Sequence, residues 1–190
     1  MDHDSPLSLL WRGGIAILFA FLFFVLTPKL HAQRESPALT DSEVDQLRDS
    51  AYVAADRVLV FVKLLDERTK AIETLVAKPR QPGREQDLHD LMEQFTSIAD
   101  ELDDNLDDYG PGHRDMRKAL PKLLSATERW ATVIKSPADH DAYNVSRKLA
   151  LEAIRDIREE STKLIEDQRT YFAAHPPPKE TKGEAVTSPR

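Results

Sequence analysis

Six of the nine residues from Asp100 to Asp108 are acidic, in the order Asp-Glu-Leu-Asp-Asp-Asn-Leu-Asp-Asp. Clustered carboxylate oxygens are what a hard divalent cation binds. The run is not an EF-hand, because the glycine and the closing glutamate of that loop are missing. Asp100, Asp103, Asp104, Asp107 and Asp108 crowd the end of a helix, where the helix dipole disfavours negative charge. The next segment opens with His113, Arg114, Arg117, Lys118 and Lys122, which are equally misplaced at a helix start. The turn Gly110-Pro111-Gly112 sets the two groups side by side, so the expectation is mutual neutralisation. Weak cation binding, or docking of a basic partner, are the alternatives.

Other chemistries lack their residues. The chain has no cysteine, which removes disulfides, thiol catalysis, thiolate metal sites, haem attachment through CxxCH and a lipobox anchor. The six histidines form no HExxH or HxxxH pair, and no Glu-x-x-His of the di-iron bundles occurs. For haem, Met116 faces inward but His89 falls off its seam and His140 sits at a helix start. No nucleophile–base or paired-carboxylate constellation stands out among so many surface acids. The expectation is no enzyme and no cofactor. A net charge of -7 and a pI near 5.4 argue against a nucleic-acid partner.

Arg68 is the other residue with chemical interest. It interrupts an apolar seam of Val44, Leu47, Ala51, Ala54, Val58, Phe61, Leu65, Ile72 and Leu75. Counting rise along the helices puts Arg68 level with Thr127 and just below Trp130. One reading is a small pocket in which Arg68 holds an anion. The other, preferred, is that Arg68, Asn105, Thr127, Ser161 and Gln168 are buried polar groups that specify register.

The elements follow from the same periodicity. Alternating steps of three and four predict one coiled-coil-like helix from Thr40 to Lys78, about 57 Å long. Thr40 and Glu43 make a capping box, and Pro79 stops the helix. A second helix spans Arg84 to Tyr109, with Leu88, Leu91, Phe95, Ile98 and Leu102 on its seam. A third runs from about His113 to Lys135, kinked or restarted at Pro121. A fourth opens at Ser136-Pro137, with Ser136 as its cap, and ends near Ala174 before Pro176.

The predicted fold is all-α, an up-down-up-down four-helix bundle over residues 40–174 with long first and fourth helices. Val44, Leu47 and Ala51 would face Leu164, Gln168, Tyr171 and Phe172 in a two-helix extension, with both chain ends at one tip. Residues 33–39 read as a linker, and 175–190 as a disordered tail. Ahead of them, Arg12 and the apolar run Ile15–Leu26 read as a secretory signal peptide over residues 1–32, cut after Ala32. The run is short for a membrane span, so membrane attachment enters only if the leader is uncleaved.

The functional expectation is an exported, periplasmic or extracellular bundle that acts through its surface on a protein partner. The alternative is a ligand- or ion-sensing bundle with a pocket near Arg68, similar to periplasmic sensor bundles in architecture alone.

Overall fold

The computed structural model describes residues 37–176. The expected signal peptide, the first part of the expected linker and nearly all of the expected tail lie outside the described residues. Those described form five helices, and no strand occurs among them. No helix among them is long and apolar enough to cross a membrane.

Thr40 caps α1 (Asp41–Asp49) as its sequence predicts. The Thr40 hydroxyl accepts the Glu43 N–H at 3.4 Å, and the Glu43 carboxylate accepts the Thr40 N–H at 2.7 Å. The expected long helix is nevertheless two helices. It breaks over Ser50–Val53, and α2 (Ala54–Ala77) starts afresh. The Ser50 N–H reaches the Gln46 carbonyl and its hydroxyl donates to the Leu47 carbonyl at 3.0 Å, closing α1. The chain then reverses. Arg57 donates to the Leu47 carbonyl, Lys63 to Gln46 and Arg68 to Glu43, so α1 runs back antiparallel along α2.

This overturns the two-helix extension. Leu47 is buried but Val44 is exposed, and α1 packs against α2. The end of the last helix, α5 (Asn144–Ala174), is covered by another segment. The buried Gln168 side chain accepts the Met116 N–H at 3.0 Å and donates to the Arg114 carbonyl at 2.7 Å. Tyr171 stacks on His113, and Arg117 lies over Phe172. The apolar seam of α1 therefore has no free surface on α5 to join. Nor do the ends share a tip, since the Ala38 carbonyl sits against Arg68 in the body of α2.

The remaining ends show how proline and glycine divide the chain. Lys78, before Pro79, is extended at ψ 153°, as a residue preceding proline is biased to be, and α2 stops. Gly83 takes φ 90° ahead of α3 (Arg84–Tyr109), a left-handed conformation that favours glycine. The third long helix, α4 (Leu120–Lys135), begins seven residues later than its earliest predicted start. Pro121 then sits in the first turn, where its missing N–H leaves no bond unmade. The helix expected from His113 to Ala119 does not form, so there is nothing for Pro121 to kink or restart, and residues 110–119 are turns and irregular chain.

Ser136 does not cap the last helix. Its hydroxyl donates to the Val133 carbonyl at 2.8 Å and closes α4. Helix α5 (Asn144–Ala174) starts later, after a loop held by Arg147, which donates to the Pro137 carbonyl at 2.8 Å and to Asp139 at 2.9 Å. Tyr143 closes the same loop by donating to the Ala138 carbonyl.

Helices α2, α3, α5 and α4 pack in that cyclic order, each against its two neighbours. Phe61, Phe95, Ile98, Leu102, Met116, Trp130 and Ile157 are fully or almost fully buried between them. Phe95 meets Trp130 edge to face at 5.7 Å. The indole N–H of Trp130 donates to Asp66 at 2.7 Å, which pins α4 to α2. A buried indole needs such an acceptor, because an unmade bond there costs about 1–3 kcal/mol.

Candidate functional site

The α3 acids come first. Asp100, Asp103, Asp104 and Asp107 recur at steps of three and four, so they share one stripe beside the buried Ala99, Leu102 and Leu106. That apolar edge is what seats α3 against α5. The packing brings the stripe up to Asp156 and Glu160 of α5. Burial, then Asp107, Asp156, Glu160 and Asp104, push the Asp103 carboxyl up to about 6. Burial, with Asp104 and Asp156, raises Asp100 as well.

Among the described residues, none of Asp100, Asp103, Asp104, Asp107 and Asp108 forms an ion pair within 4.0 Å, although Arg155 pairs with Asp156 at 2.8 Å and Lys163 with Glu160 at 3.1 Å. The expected neutralisation by the following basic group does not form. Arg114 donates to the carbonyls of Ala51 and Tyr52 and lies 4.4 Å over the Tyr109 ring. Arg117 pairs with Asp115 at 2.6 Å and lies 4.0 Å over Phe172. His113 stacks on Tyr171 at 3.8 Å. The physical reason is the turn. His113 takes φ 48°, and the segment after it crosses the end of α5 instead of returning along α3. Aromatic faces then compete with carboxylates for the guanidiniums. No local signal in the sequence marks Tyr109, Tyr171 and Phe172 as the partners of these side chains.

Beside the stripe, a groove of about 540 Å³ opens between α3 and α5, lined by Asp107, Glu160, Lys163, Asp167 and Tyr171 among others. No group of three or more His, Asp or Glu side chains among the described residues is arranged to hold a metal ion.

The second expected site does not assemble. Arg68 makes no hydrogen bond with Thr127 or Trp130. Its Nη1 and Nη2 each donate to Glu43 at 2.9 Å, and Nη2 also donates to the Ala38 carbonyl at 2.8 Å. Both side chains are about nine-tenths buried, at 12% and 9% exposure. The Arg68 guanidinium holds the Glu43 carboxyl down to about 2. Thr127 donates to the Leu124 carbonyl at 2.8 Å, and Trp130 belongs to Asp66. Asp66 also accepts from Arg129. Residues 66 and 68 lie about 200° apart around α2, so Arg68 faces α1 while Asp66 faces α4.

Glu43 was missed as the partner of Arg68 because its capping role already accounted for it. Of the other polar seam residues, Thr127 and Asn105 find local partners, Gln168 bonds the distant segment at Arg114 and Met116, and the buried Ser161 hydroxyl has none. Asn105 donates to the Glu101 carbonyl and accepts from the Tyr109 hydroxyl. No protein-family model, curated protein sequence or solved structure matches this chain.

Proposed function

We propose that this chain is an exported, non-enzymatic protein that uses the acidic stripe of α3 and the facing edge of α5 to bind a basic partner protein. In this reading α2–α5 are a four-helix bundle and α1 is an arm laid on its outside. The cyclic packing of the four long helices supports the bundle. Arg12 and the apolar run Ile15–Leu26 support export with a leader removed after Ala32. The surface reading is carried by one observation: the α3 carboxylates face Asp156 and Glu160 without a cation of their own. Like charges held together without a counter-charge destabilise the free protein. Lysines or arginines of a partner relieve that repulsion on binding, which is the electrostatic complementarity that sets encounter and specificity.

The test uses protein recovered from the exported fraction and a lysine-rich peptide as probe. Mass spectrometry should find Gln33 at the N-terminus. The peptide should bind at low salt, weaken steadily as salt rises, and be lost when Asp100, Asp103, Asp104 and Asp107 are changed together to Asn. Binding that survives this change, or that ignores salt, rules the stripe out. A rise in melting temperature with millimolar calcium, abolished by the same change, would instead favour an ion-sensing bundle.

A further inference from the structure

We propose that α1 is an exchangeable arm, and that two copies of this chain dimerise by straightening the hinge so that each α1 seats on the α2 of the other. The partner is a second copy of the same chain. The surface is the face of α2 that α1 now covers.

The first ground is the hinge. Ser50-Ala51-Tyr52-Val53 contains neither glycine nor proline. None of the four has a positive φ, so each can adopt helical angles without strain. Tyr52 is 90% exposed and Val53 51% exposed, so the turn itself secures almost nothing. Its tertiary ties are the bonds from Arg114 to the Ala51 and Tyr52 carbonyls, at 3.4 and 3.2 Å. Straightening gives these up and gains helical backbone bonds across residues 50–55.

The second ground is the register. Residues 43, 47, 50, 54, 57, 61, 64 and 68 follow steps of four and three without a break, straight through the hinge. This is the spacing of a continuous two-stranded seam. The seam is also symmetric about its midpoint. Glu43 answers Arg68, and Leu47 answers Leu64, both leucines being buried, at 3% and 0% exposure. Two straightened α1–α2 helices laid antiparallel would therefore repeat the hairpin's pairings between copies. Their two-fold axis would pass between residues 55 and 56. Each copy would retain the Glu43–Arg68 pair, now made with the other chain, as exchange of an identical element requires.

The folded-back and straight forms thus share the Glu43–Arg68 pair and the Leu47 and Leu64 positions, and differ at the four hinge residues and at Arg57, which gives up its bond to the Leu47 carbonyl. Such a difference is small enough for concentration to tip it.

The chain has no cysteine, so reporters can be placed cleanly. Cysteines replacing Gln46 and Lys63, whose side chains meet at 2.7 Å, are bridged with a short bis-maleimide. Full-length chain is expressed, and the protein recovered is followed by sedimentation from micromolar to millimolar concentration. A concentration-dependent dimer is expected. Bridging should join the two chains in the dimer and stay within one chain in the monomer. Tyr52→Pro breaks the straight helix but removes no bond from the hairpin, since no hydrogen bond of the Tyr52 N–H occurs there. It should leave a helical monomer and weaken dimerisation at least about a hundred-fold. Ser50→Ala with Val53→Ala favours helix across the hinge and should strengthen dimerisation. A protein that stays monomeric to millimolar concentration in both native and Ser50→Ala/Val53→Ala forms overturns the proposal. So does a dimer whose bridges stay within one chain, or one that survives Tyr52→Pro.

Discussion

Arg68 shows how much one contact changes the meaning of a residue. Seen only as a break in an apolar seam, it invites replacement by leucine with little loss. Its bidentate pair with Glu43 reverses that expectation, because Arg68→Leu leaves a carboxylate nine-tenths buried without its cation. Breaking such a pair costs about 3–5 kcal/mol where the structure cannot yield. Here it can yield, because α1 packs chiefly on α2 and can lift away alone. Arg68→Leu should therefore speed amide exchange in α1 about a hundred-fold or more while the slowest amides of α3 change little. Uniform acceleration throughout the chain would show instead that α1 is part of one cooperative unit. Acid gives a second view of the same pair. The Glu43 carboxyl lies at about 2, below its ordinary 4.5, so its stabilisation is present above 4.5 and is lost as pH falls from there through about 2.

At the scale of the element, the segment 110–119 decides the layout. It is not helical, yet it occupies the surface of α5 that α1 would otherwise take. Gln168 is its anchor, bonded to one N–H and one carbonyl of the segment while only 2% exposed. Gln168→Leu fits the apolar surroundings but leaves the Met116 N–H and the Arg114 carbonyl without their partner. Each buried group left so costs about 1–3 kcal/mol. Urea unfolding should show a loss of about 2–4 kcal/mol, with Gln168→Glu recovering part of it only at acidic pH, where the protonated carboxyl accepts from Met116 and donates to the Arg114 carbonyl. If Gln168→Leu were as stable as the native chain, the segment would be held by its aromatic stacks alone.

Across the whole molecule, like charges gather where α3 meets α5, and stability should report it. Asp103 lies at about 6 in the folded chain, above its ordinary 3.8. Between those values the folded state holds a proton that the unfolded state has released. Stability from this group is therefore greatest below 3.8, falls as pH rises to about 6, and is flat above. Asp103→Asn should raise the melting temperature at pH 7 and low salt, with the gain shrinking toward pH 4. Salt should shrink it too, because the opposing charges are partly exposed. A gain that did not vary with pH would mean that packing, not charge, distinguishes the two side chains.

The sequence by itself determined the helical class, the capping box at Thr40, the stops at Lys78, Tyr109 and Ala174, and most of the buried seam positions. These depend on local chemistry: a side chain that meets its own backbone, a proline without an N–H, a repeat of 3.6. It also picked out Arg68 and the α3 acids as the charged groups that needed an explanation. Tertiary structure decided their partners. The Thr40–Lys78 pattern is satisfied equally by a straight helix and by a hairpin, because periodicity records which face is apolar and not what covers it. Likewise the acids and bases flanking Gly110–Gly112 are neighbours in sequence, but the left-handed His113 sends the chain across α5 and parts them. Pairing between distant segments depends on which surfaces remain free after the others have packed, and no single stretch of the chain contains that information.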